Sequence, residues 1–467
     1  MMEPVTLQFI AEASGGILHP LEAGCMTVSG LCTDSRRLQA GELFLALRGE
    51  RFDGHDFLKD PTLKTAAAVL ISEDRRADVP PGLPVVTVQD TRAALGRIAA
   101  AYRKGFSIPV FCVAGSNGKT TTKELLAALL ETQIPTLRSQ ASFNNDIGVP
   151  LSLLGINPSH RAAVLEAGTN HPGELAPLIQ QIAPRYGLVP QIGREHLEHF
   201  GDLNGVVDEE CALGENLPAD GILFLNGDCE AARPLAARTH ARVVRTGFGP
   251  ENSWRARILE NGWNFTRFEI IAPQAEWCGV FEIAVPGRHM VSNATLALAA
   301  AAELHIRPEA ARQALARFSG AKQRLQWSEQ RGIRWLDDTY NANADSTLAS
   351  LQTLSDLPCT GRRVAVLGDM AELGEHTDEA HREVGAAAHR LGIDLLVCIG
   401  RSARHTADGA FGMHQVLAFP DVEQAVPALR PLIRSGDCIL AKASRSSRLE
   451  RLFEALKTET VECGDNR

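Results

Sequence analysis

No stretch of the chain approaches the roughly 18 consecutive apolar residues that a membrane-crossing helix needs. The opening Met1-Met2-Glu3-Pro4-Val5 has neither the basic segment nor the apolar core of a secretory leader, so a cytoplasmic protein without membrane insertion is expected. Paired cysteines are also missing. The ten cysteines are scattered and none forms a C-x-x-C pair, which argues for buried reduced thiols over a disulfide framework or a structural zinc site. Basic blocks are absent and the net charge is −9, which disfavours a nucleic-acid or anionic-membrane partner. Internal repeats and low-complexity tracts are lacking too. Lysine is scarce, at 8 against 39 arginines. Codon usage explains such a bias in general, but the distribution matters below.

What is present is an ordinary globular composition. Apolar residues make up 45% and charged residues 22% of 467, which rules out a disordered or fibrous chain. At about 150 residues per domain, the length predicts roughly three domains. Residues 1–108 carry short strand and turn signals, ending in Val85-Val86-Thr87-Val88 and an Ala-rich helix over 91–104. Pro109 marks the expected boundary. From Val110 a strand, a glycine loop and a helix follow one another, and apolar strand-length runs recur at 162–165 and 222–225. An Ala-rich helix over 292–304 precedes Pro308 and another helix that ends near Phe318. The runs 363–367, 395–399 and 438–441 read as buried parallel strands separated by helices. The expectation is a three-domain α/β protein with segments 1–108, 109–318 and 319–467.

The strongest local signal is Gly115-Ser116-Asn117-Gly118-Lys119-Thr120-Thr121. A glycine loop between a strand and a helix aims backbone N–H groups and the positive helix end at a phosphate. Lys119 adds a point charge, and the Thr120 hydroxyl is placed to ligate Mg²⁺. The usual eight-residue loop would need glycine at 113, where Val113 stands, so this is the shorter G-x-x-G-K-T form. The competing reading is a tight strand–helix turn with an incidental lysine.

That loop, continued through Thr122-Lys123-Glu124, resembles the Mur ligase superfamily of ATP-dependent amide-bond-forming enzymes. Further blocks resemble the family in order: Thr33-Asp34-Ser35-Arg36; Leu47 to Asp56; Ser142 to Pro150; Pro286 to Asn293; Asp337-Asp338-Thr339-Tyr340-Asn341-Ala342-Asn343; and Gly368 to Gly374. They span all three segments, and the Asp337–Asn343 run favours the dipeptide-adding branch. The resemblance implies a small N-terminal α/β domain that binds a UDP-muramoyl peptide. It also implies a central P-loop mononucleotide-binding α/β domain and a C-terminal Rossmann-like domain. The implied chemistry is transfer of the ATP γ-phosphoryl group to a carboxylate, giving an acyl phosphate that an amine then attacks. The implied substrates are UDP-muramoyl-tripeptide and D-Ala-D-Ala, and a monomer is expected.

Two anions meet in the first step, so cations are the main catalytic need. Lys119 and Mg²⁺ supply them, with Thr120, Glu166 and His196 as the implied Mg²⁺ ligands. Glu166 ends the run Ala162-Ala163-Val164-Leu165, at a strand's carboxyl end, where open α/β sheets bind ligands. His196 and His199 at i, i+3 leave a zinc reading open. By resemblance Asn293 contacts adenine, with a helix N-cap as the alternative. Arg324 reaches ATP phosphate on domain closure, with a surface arginine as the alternative. Asp338, Tyr340, Asn341 and Asn343 are implied nucleotide and substrate contacts. Asn144 and Asn145 are implied to face substrate, and Asp34, Ser35 and Phe52-Asp53-Gly54-His55 to form a uridine-nucleotide pocket.

The pattern breaks at one informative place. Most of the family holds a second Mg²⁺ with a carbamylated lysine, and that position falls on Glu210 here, next to Glu209. No lysine occurs between Lys123 and Lys322, so no neighbouring lysine can take the role. Glu210 is therefore expected to present a permanent carboxylate in place of a carbamate. A helix that is merely acidic on its solvent face is the rival. Smaller departures are Gln191, Glu195, Ala167, Ala344 and Ala443. Three function classes stay open: a ligase of this branch, a family ligase with another amine such as a polyglutamate-adding relative, and a non-catalytic nucleotide-binding partner.

Overall fold

The computed structural model describes residues 2–49 and 52–458. Glu50 and Arg51 of the Leu47–Asp56 block, and Cys463, lie outside them. The described cysteines are all unpaired, and two of them, Cys25 and Cys278, are exposed rather than buried. No helix of the described residues is long and apolar enough to cross a membrane.

The chain builds three main sheets, each from one contiguous stretch. The first has five strands, from Ile17–His19 to Val85–Val88, parallel except for the antiparallel edge pair formed by those two. The helix Thr91–Arg103 then joins this sheet to the next. Asp90 caps its start by accepting from the Arg92 and Ala93 amides. From it, Tyr102 donates to the Ile156 carbonyl at 2.6 Å and Arg103 to the Ile182 carbonyl at 3.1 Å.

The central sheet has nine strands. Val110–Val113 lies in its interior, flanked by Ala162–Glu166 on one side and Tyr186–Val189 on the other, all parallel. Every residue of Val110–Val113 and Ala162–Glu166 is buried, as expected for strands covered on both faces by helices. The chain leaves the first strand in one direction and later continues in the other. The carboxyl ends of these three strands therefore flank a crevice at a switch point, where α/β sheets bind ligands. Beyond Arg242–Gly247 the sheet changes character. Trp254–Asn261, Thr266–Ile271 and Gly279–Ile283 form an antiparallel edge that alternates buried and exposed residues. The sequence reading passed over this edge.

The third sheet has six strands, and all but Gln326–Gln330 are parallel. Arg363–Leu367 and Leu395–Ile399 span the ranges read from the sequence, while Cys438–Lys442 runs one residue longer. One apolar core is continuous through all three sheets.

The central and C-terminal parts meet through polar side chains. Arg194 donates to Asp345 Oδ1 at 2.7 and 3.1 Å and to Glu383 at 2.6 Å, while its backbone N–H donates to Asp345 Oδ2 at 2.7 Å. The hydrogen bond that Arg194 donates to Glu383, with that to Asp345, holds its pKa above its already high ordinary value. These groups are about one-third exposed, so screening leaves roughly 1–2 kcal/mol for the pair of contacts. Arg194→Ala is expected to loosen the central part from the C-terminal part, seen as a more expanded small-angle scattering profile. An unchanged profile would contradict this latch.

Candidate active site

Gly115 and Gly118 shape the loop that starts the site. Both have positive φ, 111° and 85°, and a Cβ would strike the Gln191 carbonyl at 2.8 Å or Asn293 Oδ1 at 2.9 Å. Glycine is required there both for conformation and for close approach. The Ser116 hydroxyl donates to the Gly193 carbonyl and accepts from the Gly193 N–H, which pins the loop to the segment after Tyr186–Val189. The helix Lys119–Leu130 follows, with Thr120 and Thr121 buried in its first turn. Its N-terminus faces the crevice, a ready anion site.

Lys119 is folded over this loop. Its ammonium donates to the Gly115 carbonyl at 2.5 Å and the Ser116 carbonyl at 3.2 Å, and lies 3.4 Å from Glu195. Burial alone would lower its pKa, but Glu195, Glu210 and Glu166 outweigh that and hold it above the ordinary lysine value. It is a permanent cation. Glu166 is buried at its strand's carboxyl end, where it accepts from Thr120 Oγ1 and from Asn144 Nδ2, each at 2.9 Å. It is no solvated surface acid.

Side chains from the third sheet complete the cavity. Arg324 donates to Thr120 Oγ1 at 3.3 Å and lies over the Tyr340 ring. The Tyr340 hydroxyl meets that of Ser142 at 2.5 Å, and Asn343 Nδ2 donates to Asn117 Oδ1 at 3.0 Å. Glu372 reaches His196, with 2.5 Å between Oε2 and Nδ1. That hydrogen bond to His196 keeps the Glu372 pKa below the usual carboxylate value. His196 has left-handed backbone at φ 49°, while the His199 ring packs on His171 at 4.2 Å. The resulting cavity of about 580 Å³ is lined by the phosphate loop, Asn144, Asn145, Glu166, His196, Arg324, Tyr340, Asn341 and Asn343.

Known protein families match this arrangement along the chain. The Mur ligase family catalytic domain matches residues 27–103, the Mur ligase middle domain 113–301, and the Mur ligase glutamate ligase domain 323–445. The UDP-N-acetylmuramoyl-tripeptide–D-alanyl-D-alanine ligase of Escherichia coli is 35% identical over 98% of this chain and 99% of its own length. The chain belongs to the Mur ligase family. The Bacillus subtilis ligase of the same name is 33% identical over 97% of this chain and 98% of its own. Among solved structures, MurF from Acinetobacter baumannii superposes with a TM-score of 0.89 at 30% identity, covering 98% of this chain and all of that one. Thermotoga maritima MurF in complex with ADP gives 0.80 at 25% identity, covering 92% and 97%.

The sites read from the sequence separate into groups. Those of the phosphate loop, Glu166, His196, Arg324 and the Tyr340 block share the cavity. Asn293 is buried within the helix Arg288–Ala302, whose N-cap is Gly287, so the capping alternative fails. It lines a second cavity with Gly118, Phe248, Arg288 and His289. Asp338 lines neither of these. Its carboxylate is taken by Lys442 at 2.6 Å, Ser350 at 2.6 Å and the Leu325 amide at 3.2 Å. Asn145 caps a helix start, accepting from the Gly148 amide at 2.9 Å. Asp34, Ser35, Phe52, Asp53, Gly54 and His55 stay with the first sheet, away from the phosphate loop. There Asp34 pairs with Arg36, the exposed Phe52 faces solvent, and Asp53 holds the buried His55. Arg194, Asp345 and Glu372 were missed, because no local pattern foretells a contact across more than 150 residues. Glu372 sits in the Gly368–Gly374 block, which was the one available signal.

Glu210 does not lie on a solvent face. It is 1% exposed on the helix Leu203–Glu215, and neither carboxylate oxygen has a hydrogen-bond partner. Burial, and then Glu195, push its pKa up to about 8 against the pull of the Lys119 ammonium and the Gly115 amide. A buried carboxyl without a hydrogen-bond partner favours its protonated form, and a cation beside it would favour the carboxylate. One oxygen of Glu195 is orphaned and buried as well. These atoms suit a hard cation such as Mg²⁺. Among the described residues no three His, Cys, Asp or Glu side chains converge enough to hold a metal by themselves, so phosphate oxygens and water would have to complete its shell.

Because folded Glu210 titrates near 8 and an unfolded glutamate near 4.5, the folded state keeps a proton that the unfolded state releases. Stability therefore falls as pH rises between those values. Glu210→Gln removes this dependence. Its melting temperature without divalent cations is expected to fall less than the parent's between pH 5 and pH 8. Parallel curves in scanning calorimetry would contradict the assignment.

Proposed function

We propose that this chain joins D-alanyl-D-alanine to a UDP-N-acetylmuramoyl-tripeptide at the expense of ATP, in the assembly of a peptidoglycan precursor. One observation carries the reading. A phosphate loop, a buried strand-end carboxylate and an arginine from a separate sheet meet in one cavity, in a chain whose full-length relatives bear that activity's name. The substrates are small molecules, and the enzyme acts as a cytoplasmic monomer. In this reading, residues 1–108 bind the muramoyl peptide, 109–318 hold ATP and 319–467 bring the third sheet's side chains over it.

The terminal phosphate of ATP lies along the loop amides and the N-terminus of Lys119–Leu130, with Lys119 as its fixed cation. The substrate carboxylate attacks phosphorus, the bond to the bridging oxygen of ADP breaks, and an acyl phosphate results. The dipeptide amine then attacks the acyl carbon, and inorganic phosphate leaves with the bonding pair. Charge on the transferring group is met by Lys119 and Arg324, preorganised by their contacts with the loop carbonyls and Thr120. Asn144, held by Glu166, faces the incoming carboxylate. Thr120, Glu166 and His196 would contribute to one Mg²⁺ and Glu210 to a second, with phosphate oxygens and water completing each shell, and the ions would supply further neutralisation. Closure of the third sheet's side chains over the cavity keeps water from the acyl phosphate.

Phosphate release is expected to require both UDP-muramoyl-tripeptide and D-alanyl-D-alanine. Turnover on another amine alone would favour a different family ligase, and nucleotide binding without turnover a non-catalytic partner protein. Lys119→Met should lower kcat at least 100-fold, by about 3 kcal/mol or more. Glu210→Ala should also collapse activity, and the parent should gain nothing from added bicarbonate. Full activity of either variant would refute the role given to that residue.

A further inference from the structure

One turn beyond Lys119, a second lysine in the same helix is fully buried. Lys123 is 0% exposed, and its ammonium donates to two backbone carbonyls and pairs with one carboxylate. These are the Ser139 carbonyl at 2.9 Å, the Ala141 carbonyl at 2.5 Å and Glu124 Oε1 at 3.0 Å. Glu166 Oε2 lies at 4.0 Å. A buried ammonium is costly unless its geometry is good and its donors are satisfied, and here both conditions hold.

Its two carbonyl partners belong to the loop that carries the acceptor side of the site. Ala141 has left-handed backbone at φ 44°, a conformation unfavourable for a non-glycine residue that persists where surroundings impose it. Immediately after it, Ser142 meets Tyr340 of the third sheet, and Asn144 donates to Glu166. Just before it, Ser139 Oγ accepts from the Glu166 amide at 3.2 Å. The 139–144 loop is thus tied at three points to Glu166 and the third sheet, and Lys123 ties its backbone to the phosphate-loop helix.

We infer that Lys123 is a positioning residue for the phosphoryl acceptor. It fixes the 139–144 loop against the helix Lys119–Leu130, so that the acceptor carboxylate and the terminal phosphate are held at one separation. This rests on the ligase reading above for the identity of the acceptor, but the mechanical link does not. Lys119 acts on phosphate; Lys123 acts through the loop. Small displacements of a bound nucleophile cost large factors in rate, which gives such a strut its effect.

Three measurements on Lys123→Met and Lys123→Ala test it. In Lys123→Met, hydrogen exchange should quicken at amides 139–145, with Val110–Val113 and Lys119–Leu130 unchanged. ADP affinity should stay within about twofold, while KM for UDP-muramoyl-tripeptide rises at least tenfold and kcat falls. In Lys123→Ala, propylammonium should restore a measurable part of the activity in a saturable manner, and neutral propanol should not. Exchange that quickens throughout the central sheet, or an equal loss of ADP affinity, would overturn the inference in favour of a general folding role. So would an unchanged KM, or rescue by propanol. If the parent protein itself joins no peptide, the ligase reading fails, and the exchange and ADP measurements still decide the role of Lys123.

Discussion

A triphosphate can be gripped only where several N–H groups and a fixed positive charge point at one place, and every other part of this site is arranged around that requirement. The place is set by strand order. Val110–Val113 lies between Ala162–Glu166 and Tyr186–Val189, so three carboxyl ends open onto one crevice. The first delivers the loop and its helix, the second a buried carboxylate, and the third the segment that pins Ser116. A different order would carry the same side chains to different edges of the sheet. Gly115 and Gly118 let that segment and Asn293 approach the loop at distances that a Cβ would forbid.

The second requirement is closure. The cavity is finished by side chains more than 150 residues away in sequence, and they arrive in pairs: Arg324 at Thr120, Tyr340 at Ser142, Asn343 at Asn117 and Glu372 at His196. Each contact is polar and partly exposed, and so individually weak. These polar contacts at the cavity lie beside the apolar core that runs on between the sheets. Arg194, gripped by Asp345 and Glu383, is the strongest link in the set because its contacts are bidentate and charge-assisted.

Parts of the molecule were legible in the sequence for identifiable reasons. Arg363–Leu367 and Leu395–Ile399 were read to the residue because strands buried on both faces appear as unbroken apolar runs. The phosphate loop was legible because its chemistry is local. The helix Arg288–Ala302 starts four residues before the sequence reading placed it. Arg288 and His289 look polar, yet Arg288 stacks its guanidinium over Phe248. The edge Trp254–Ile283 alternates buried and exposed residues and so lacks a continuous apolar signal. Asp338 is a nucleotide contact by resemblance, and its carboxylate is held by Lys442, 104 positions away. That pairing is a product of the parallel register between Ile333–Asp338 and Cys438–Lys442. Local pattern cannot reveal such pairings.

The acid at position 210 follows from the same electrostatics. Glu166, Glu195 and Glu210 all raise the pKa of one ammonium, that of Lys119. Three ionised carboxylates beside Lys119, with Lys123 4.0 Å from Glu166, crowd negative charge into a water-poor pocket, which is costly. Among them Glu210 is the carboxyl pushed upward, by burial and then by Glu195, and both its oxygens are unpartnered. A fixed negative charge at position 210 is costly in this pocket unless a cation stands beside it, and the unpartnered oxygens of Glu210 and Glu195 would be the atoms to meet one.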